Sequence, residues 1–180
     1  MHRLFVAFRP PEEIRDPLID TMEAVEGARW QSDEQLHLTL RFVGEVDRAQ
    51  GNDLVSALEA VRAPRFTLHL RGVGTFERKG RTSALWAKVE ESEPLAILHR
   101  RVERACRSAG LAPETRRFVP HVTIARLNAS TGPIGGWLAE HGRLAPPPWN
   151  VGSFHLFESR LERGGSAYEP LVEFPLDPAA

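Results

Sequence analysis

Two histidines and two threonines stand at matching positions in this 180-residue chain. One set is His37-Leu38-Thr39-Leu40 and the other, 84 positions later, is His121-Val122-Thr123-Ile124. Both read His, apolar, Thr, apolar. In a β-strand, side chains alternate between faces. His37 and Thr39 then share one face, as do His121 and Thr123, while the aliphatic residues turn to the other. Imidazole serves as acid or base near neutral pH, so two imidazoles on opposite sides of a bond suit general acid–base catalysis. Cleavage of a phosphate ester needs both roles, together with donors for the non-bridging oxygens. A threonine two residues from each histidine, about 7 Å along the strand, is placed for that task. Nothing in this scheme calls for a metal or a cofactor.

The other candidates for chemistry are weaker. His2, His69, His99, His141 and His155 lie at a terminus, on alternating strands, on a helix or in a loop, and read as structural. Two histidines on separate strands with no fixed-spacing thiol or carboxylate make a poor zinc set. Cys106, the one cysteine, falls on an apolar helical stripe, so burial is expected rather than nucleophilic use. Gly72-Val73-Gly74-Thr75-Phe76 follows a strand but no helix follows it, so it is not a dinucleotide fingerprint.

Composition bounds the rest. The length fits one domain, and the 42% hydrophobic and 26% charged fractions are ordinary for a soluble protein. No apolar run is long enough for a membrane span, the N-terminus has no signal-peptide pattern, and a single cysteine suits a reducing cytoplasm. The net charge of −1 argues against gripping nucleic acid by bulk electrostatics. Still, 21 of the 23 basic residues are Arg, the side chain that pairs bidentately with phosphate.

The elements that must hold these residues follow from periodicity. Strands are predicted over 3–8, 28–31, 36–43, 66–71, 83–89, 121–127, 151–158 and 168–174. Helices are predicted over 12–25 (Ile14, Leu18, Met22, Val25), over 47–62, from Pro94 to Gly110, and briefly around Trp137 and Leu138. Residues 72–81 read as a glycine-rich basic loop, and the tail from Asp177 to Ala180 as frayed. Each half carries helices, strands and one motif. The expectation is a single α+β domain, residues 1–180, of two related lobes. It is bilobal and pseudo-symmetric: two antiparallel-rich sheets face a central cleft, with helices outside.

Here the chain resembles a known family. It looks like the 2H (two-histidine) phosphoesterase superfamily, and within it the RNA 2′,3′-cyclic phosphodiesterases also named 2′-5′ RNA ligases. The likeness runs through Arg3-Leu4-Phe5-Val6-Ala7, Trp30, Leu36 to Val46, Gly74-Thr75-Phe76, Leu85-Trp86, Phe118 to Arg126, and Leu156-Phe157-Glu158-Ser159 with Tyr168. The resemblance implies metal-independent hydrolysis of RNA 2′,3′-cyclic phosphate ends (on tRNA fragments, for example) to 2′-phosphates, reversible as 2′-5′ ligation. It implies His37 as proton donor to the leaving oxygen and His121 as acceptor from water. A cyclic nucleotide or ADP-ribose cyclic phosphate is the alternative substrate, and a non-catalytic RNA-end-binding module the alternative role. A monomer in the cytoplasm is expected.

Further contacts are read from position. Strict alternation puts Arg41 on the face of His37 and Thr39. It turns Arg126, a position where the family often has Arg, away from His121 unless a bulge or the strand end redirects it; both Arg41 and Arg126 are candidate phosphate or RNA contacts. Lys79 and Arg81 stand where they could track an RNA backbone. Phe42, Phe76 and Trp30 are candidates to stack a base.

Overall fold

The computed structural model describes residues 1–178. In chain order the strands are β1 (His2–Phe8), β2 (Arg29–Trp30), β3 (Leu38–Val46), β4 (Phe66–Leu68), β5 (Leu70–Arg78), β6 (Arg81–Val89), β7 (His121–Arg126), β8 (Trp149–Val151), β9 (Ser153–Glu162) and β10 (Gly165–Pro175). The helices are α1 (Glu12–Ile19), α2 (Arg48–Glu59), α3 (Glu93–Ser108) and α4 (Gly135–His141), with a 3-10 turn at Asp33–Gln35. The fold is α+β, and its sheet pairings are antiparallel. No helix among the described residues is long and apolar enough to cross a membrane.

The main sheet runs β10-β9-β1-β3-β7-β6-β5, with β2 also on β7, and β4 and β8 pair separately. Where two facing sheets are expected from the sequence, these strands form one continuous sheet, in which β3 and β7 join at a single ladder pair, Leu38 with Val122. One half is β10-β9-β1-β3 and the other is β7-β6-β5 with β2. Leu38, Leu40, Val122 and Ile124 are all buried on the helix side. There they join Leu54 and Leu58 of α2 and Leu95, Leu98 and Val102 of α3 in one core cluster. Each such side chain contributes about 1.5–3 kcal/mol on burial. Asp47 caps α2 by accepting from the Gln50 amide, and Ser92 caps α3 by accepting from the Leu95 amide.

Several boundaries depart from the periodicity. The first helix stops at Ile19 rather than Val25. Thr21 then bonds back to the Leu18 carbonyl, and Ala24 takes a left-handed backbone, φ 62°. Met22 and Val25 still pack on the core from a turn. The predicted loop 72–81 is mostly strand β5, ending in a tight turn at Lys79-Gly80. Its glycines are used for closeness: a Cβ on Gly74 would lie 2.3 Å from the Trp86 ring. The end of the chain is tied down at Asp177, whose amide donates to the Ala63 carbonyl and whose carbonyl accepts from the Arg65 amide. The expectation of a frayed tail therefore fails at Asp177, and Ala179 and Ala180 lie outside the described residues.

Candidate active site

The two motif strands adjoin at the Leu38–Val122 pair. Antiparallel register through that pair sets His37 toward Thr123 and Thr39 toward His121. All four line one cleft of about 580 Å³.

Both rings are mounted alike. His37 Nδ1 lies 2.6 Å from the Gln35 carbonyl, and His121 Nδ1 lies 2.6 Å from the Val119 carbonyl. A carbonyl can only accept, so each Nδ1 carries the proton. Each Nε2 is left as the nitrogen that exchanges a proton with a ligand. Aromatic walls hold the rings: Phe5 and Tyr168 at 5.0 and 5.1 Å from His37, and Phe76 and Trp86 at 4.7 and 5.6 Å from His121. Burial pushes the His37 pKa down to about 4, against a weaker upward pull from the Gln35 carbonyl; the charges of His121 and Arg126 lower it further. His121 is also lowered, by burial and then by Arg126. Burial thus disfavours the charged form of both imidazoles.

The arginines reverse the expectation from alternation, and β-bulges are the reason. Opposite β1, Ala7 faces Thr39 but Val6 faces Arg41, so Leu40 is an extra residue in β3. Opposite β6, Trp86 faces Thr123 but Leu85 faces Ala125, so Ile124 is an extra residue in β7. An extra residue shifts everything beyond it to the other face. Arg41 therefore turns its guanidinium toward α3 while still bordering the cleft. It is only 7% exposed and bonds to Glu103 of α3, to the Ala112 carbonyl (2.5 Å) and to its neighbour's carbonyl at Phe42. Arg126 turns to the cleft, where its charge bears on both histidines. The bulges fall at the same place in both motifs, so Phe42 and Arg126 are equivalent positions, five residues after each histidine. Phe42 is 53% exposed at the cleft wall.

The remaining candidates divide. Phe76 lies against His121 inside the cleft. Lys79 and Arg81 sit exposed at the β5–β6 turn, beyond the cleft lining. Trp30 pairs through its backbone with Ala125 and packs on Trp137 in the core, away from the cleft. Cys106 is buried, and burial pushes its thiol up to about 11. No group of three or more His, Cys, Asp or Glu side chains among the described residues is placed to hold a metal ion.

Sequence reasoning missed the 111–120 connection that closes one end of the cleft through Glu114, Arg116, Arg117, Phe118 and Val119. Glu114 holds Arg116, which keeps that carboxyl at about 2, and Phe118 stacks on His99 of α3 at 3.8 Å. The signal was the run Arg116-Arg117-Phe118 immediately before the second motif.

A pseudo-symmetric cleft with paired imidazoles and hydroxyls defines a two-histidine phosphoesterase type of site. The chain matches the 2′-5′ RNA ligase superfamily over residues 10–163 and belongs to it. It is 34% identical to an RNA 2′,3′-cyclic phosphodiesterase of Aeropyrum pernix, over 89% of this chain and 91% of that protein. It is 31% identical to the protein of that name from Escherichia coli, over 97% and 96%. Among solved structures, the apo form of E. coli LigT superposes with a TM-score of 0.78 at 29% identity, covering 97% of each chain. A LigT complex with 3′-AMP also gives 0.78, covering 97% of this chain and 98% of that one.

Proposed function

We propose that this protein hydrolyses 2′,3′-cyclic phosphate ends of RNA, such as those on tRNA fragments, to 2′-phosphates by two-histidine acid–base catalysis. The observation that carries the reading is the matched mounting of His37 and His121, each with Nδ1 committed and Nε2 left to exchange a proton in one cleft. His121 Nε2 takes a proton from water as the water oxygen bonds to phosphorus. The bond from phosphorus to the 3′ oxygen breaks, and the Nε2–H of protonated His37 delivers its proton to that oxygen. Thr39, Thr123 and Arg126 serve the non-bridging oxygens. Phe42 and Phe76 flank the terminal nucleoside.

The lowered histidine pKa values fit this scheme. An anionic phosphodiester between the rings supplies the charge that burial removes, and so favours the imidazolium. Run backwards with a 5′-hydroxyl in place of water, the same steps form a 2′-5′ linkage. The scheme uses no metal or cofactor and fits a cytoplasmic monomer. The names of the relatives support the reaction class.

The test is turnover of an oligonucleotide ending in a 2′,3′-cyclic phosphate, with product phosphate position read by NMR, with and without a strong chelator. A 2′-phosphate formed at equal rates is the expected result. A 3′-phosphate product, or activity lost to chelator and restored by metal, overturns the scheme. Binding without turnover identifies an end-binding module.

A further inference from the structure

The chain's net charge of −1 conceals a local excess of positive charge beside the cleft. On α3, Arg100, Arg104 and Arg107 follow spacings of four and three, which align them in one stripe. All three are exposed. The stripe borders the edge of the helix where His99 lines the cleft and Glu103 holds Arg41. Arg117, also exposed, lines the cleft next to Phe118, which stacks on His99 of the same helix.

The nearby carboxylates do not neutralise this flank, because Glu103 is engaged by Arg41 and Glu114 by Arg116. Among the described residues Arg100, Arg104, Arg107 and Arg117 form no ion pair, so their charge is not offset by a carboxylate. At a rise of about 1.5 Å per residue, Arg100 to Arg107 spans about 10 Å. Successive phosphates of one stacked strand lie about 3.4 Å apart along the axis, so the stripe meets more than one.

We propose that the Arg100–Arg104–Arg107 stripe, continued by Arg117, is the track for the phosphate backbone of a single RNA strand whose cyclic end enters the cleft. The preferred substrate is then an oligonucleotide rather than a mononucleotide. This rests on the function proposed above and extends it from the reacting end to the strand behind it.

The experiment compares the wild-type chain with R100Q/R104Q/R107Q on two substrates, a 2′,3′-cyclic mononucleotide and a longer oligonucleotide with the same end. Expected is a rise of about tenfold or more in KM for the oligonucleotide with kcat kept, and no change for the mononucleotide. The slope of log KM against log salt for the oligonucleotide should flatten by about two, since each lost phosphate contact on a single strand removes about 0.7. An unchanged oligonucleotide KM and slope, or an equal loss on the mononucleotide, overturns the track. If the triple variant does not fold, the same comparison with the single variants R100Q, R104Q and R107Q decides it. If the wild-type chain turns over neither substrate, the catalytic reading fails by itself. Fluorescence anisotropy of a 3′-phosphate-ended oligonucleotide then judges the track by the same change in salt slope.

Discussion

His37 and His121 are held identically at the ring and differently at the base. The carbonyl under His37 belongs to Gln35, in a 3-10 turn that folds on itself. The Ser32 backbone N–H donates to Gln35 Oε1, the Gln35 side-chain Nε2 donates to the Ser166 carbonyl, and Arg9 and Arg15 grip Asp33. This mount is a short turn held from several sides and partly open to water. The carbonyl under His121 belongs to Val119, at the end of a long connection without regular structure. That connection is pinned from beneath. Arg41 reaches the Ala112 carbonyl, and Glu103 takes Arg41 with one oxygen and the Glu114 amide with the other. A residue of the His37 strand thus braces the segment that orients the other histidine. A short turn is held by partly exposed contacts, but the long segment is held by a buried anchor.

The comparison can be broken at its centre first. His37→Ala and His121→Ala should each lower kcat by about 10²–10⁴, the usual range for a lost general acid or base, with circular dichroism unchanged. Near-wild-type turnover of a folded variant removes that ring from the mechanism, and a large difference between the two shows that the two mounts are not chemically matched.

Next comes the buried anchor. Arg41→Ala leaves Glu103 without its partner, a loss of about 3 kcal/mol, read as a fall in Tm of roughly 6–12 °C. In imidazole NMR the His121 signals should shift and those of His37 should hold. Asp33→Asn should show the mirror pattern at smaller scale, with His37 moving, His121 still and a stability loss of about 1 kcal/mol or less, since those pairs are solvent-exposed. Both histidines shifting in both variants would show that the mounts are not separate.

The pH responses are the finest probe. kcat/KM reports the free enzyme, so its limbs should lie near about 4 and below 6.5. Those of kcat should lie higher, because bound phosphate favours protonation. Stability has the opposite sense. An unfolded histidine takes up a proton below about 6.5, while native His37 stays neutral to about 4, so stability falls as pH drops through that window. In His37→Gln the fall should be shallower by calorimetry.

The motif quartet was legible because alternation operates from His37 to Thr39 and from His121 to Thr123. It misled beyond Leu40 and Ile124. A bulge depends on what the neighbouring strand offers, and β1 and β6 are remote in sequence. Hence Arg41, a candidate contact, borders the cleft with its guanidinium committed to Glu103 and the Ala112 carbonyl, while Arg126, a candidate that alternation alone would turn away, faces in. Glycine density at 72–80 hid β5, because it reflects the Trp86 ring lying flat over Gly74. The 111–120 connection has no periodicity to read, and its shape is imposed by Arg41 and Glu103 from two other elements.

The single ladder pair between β3 and β7, Leu38 with Val122, is also the direct link between the two motifs. His37, Thr39, His121 and Thr123 each stand one residue from it, and the aliphatic core shared by both strands lies beneath. Spacing within the quartet is therefore set at one point of the sheet, whereas Phe42 and Arg126 stand four residues further along their strands.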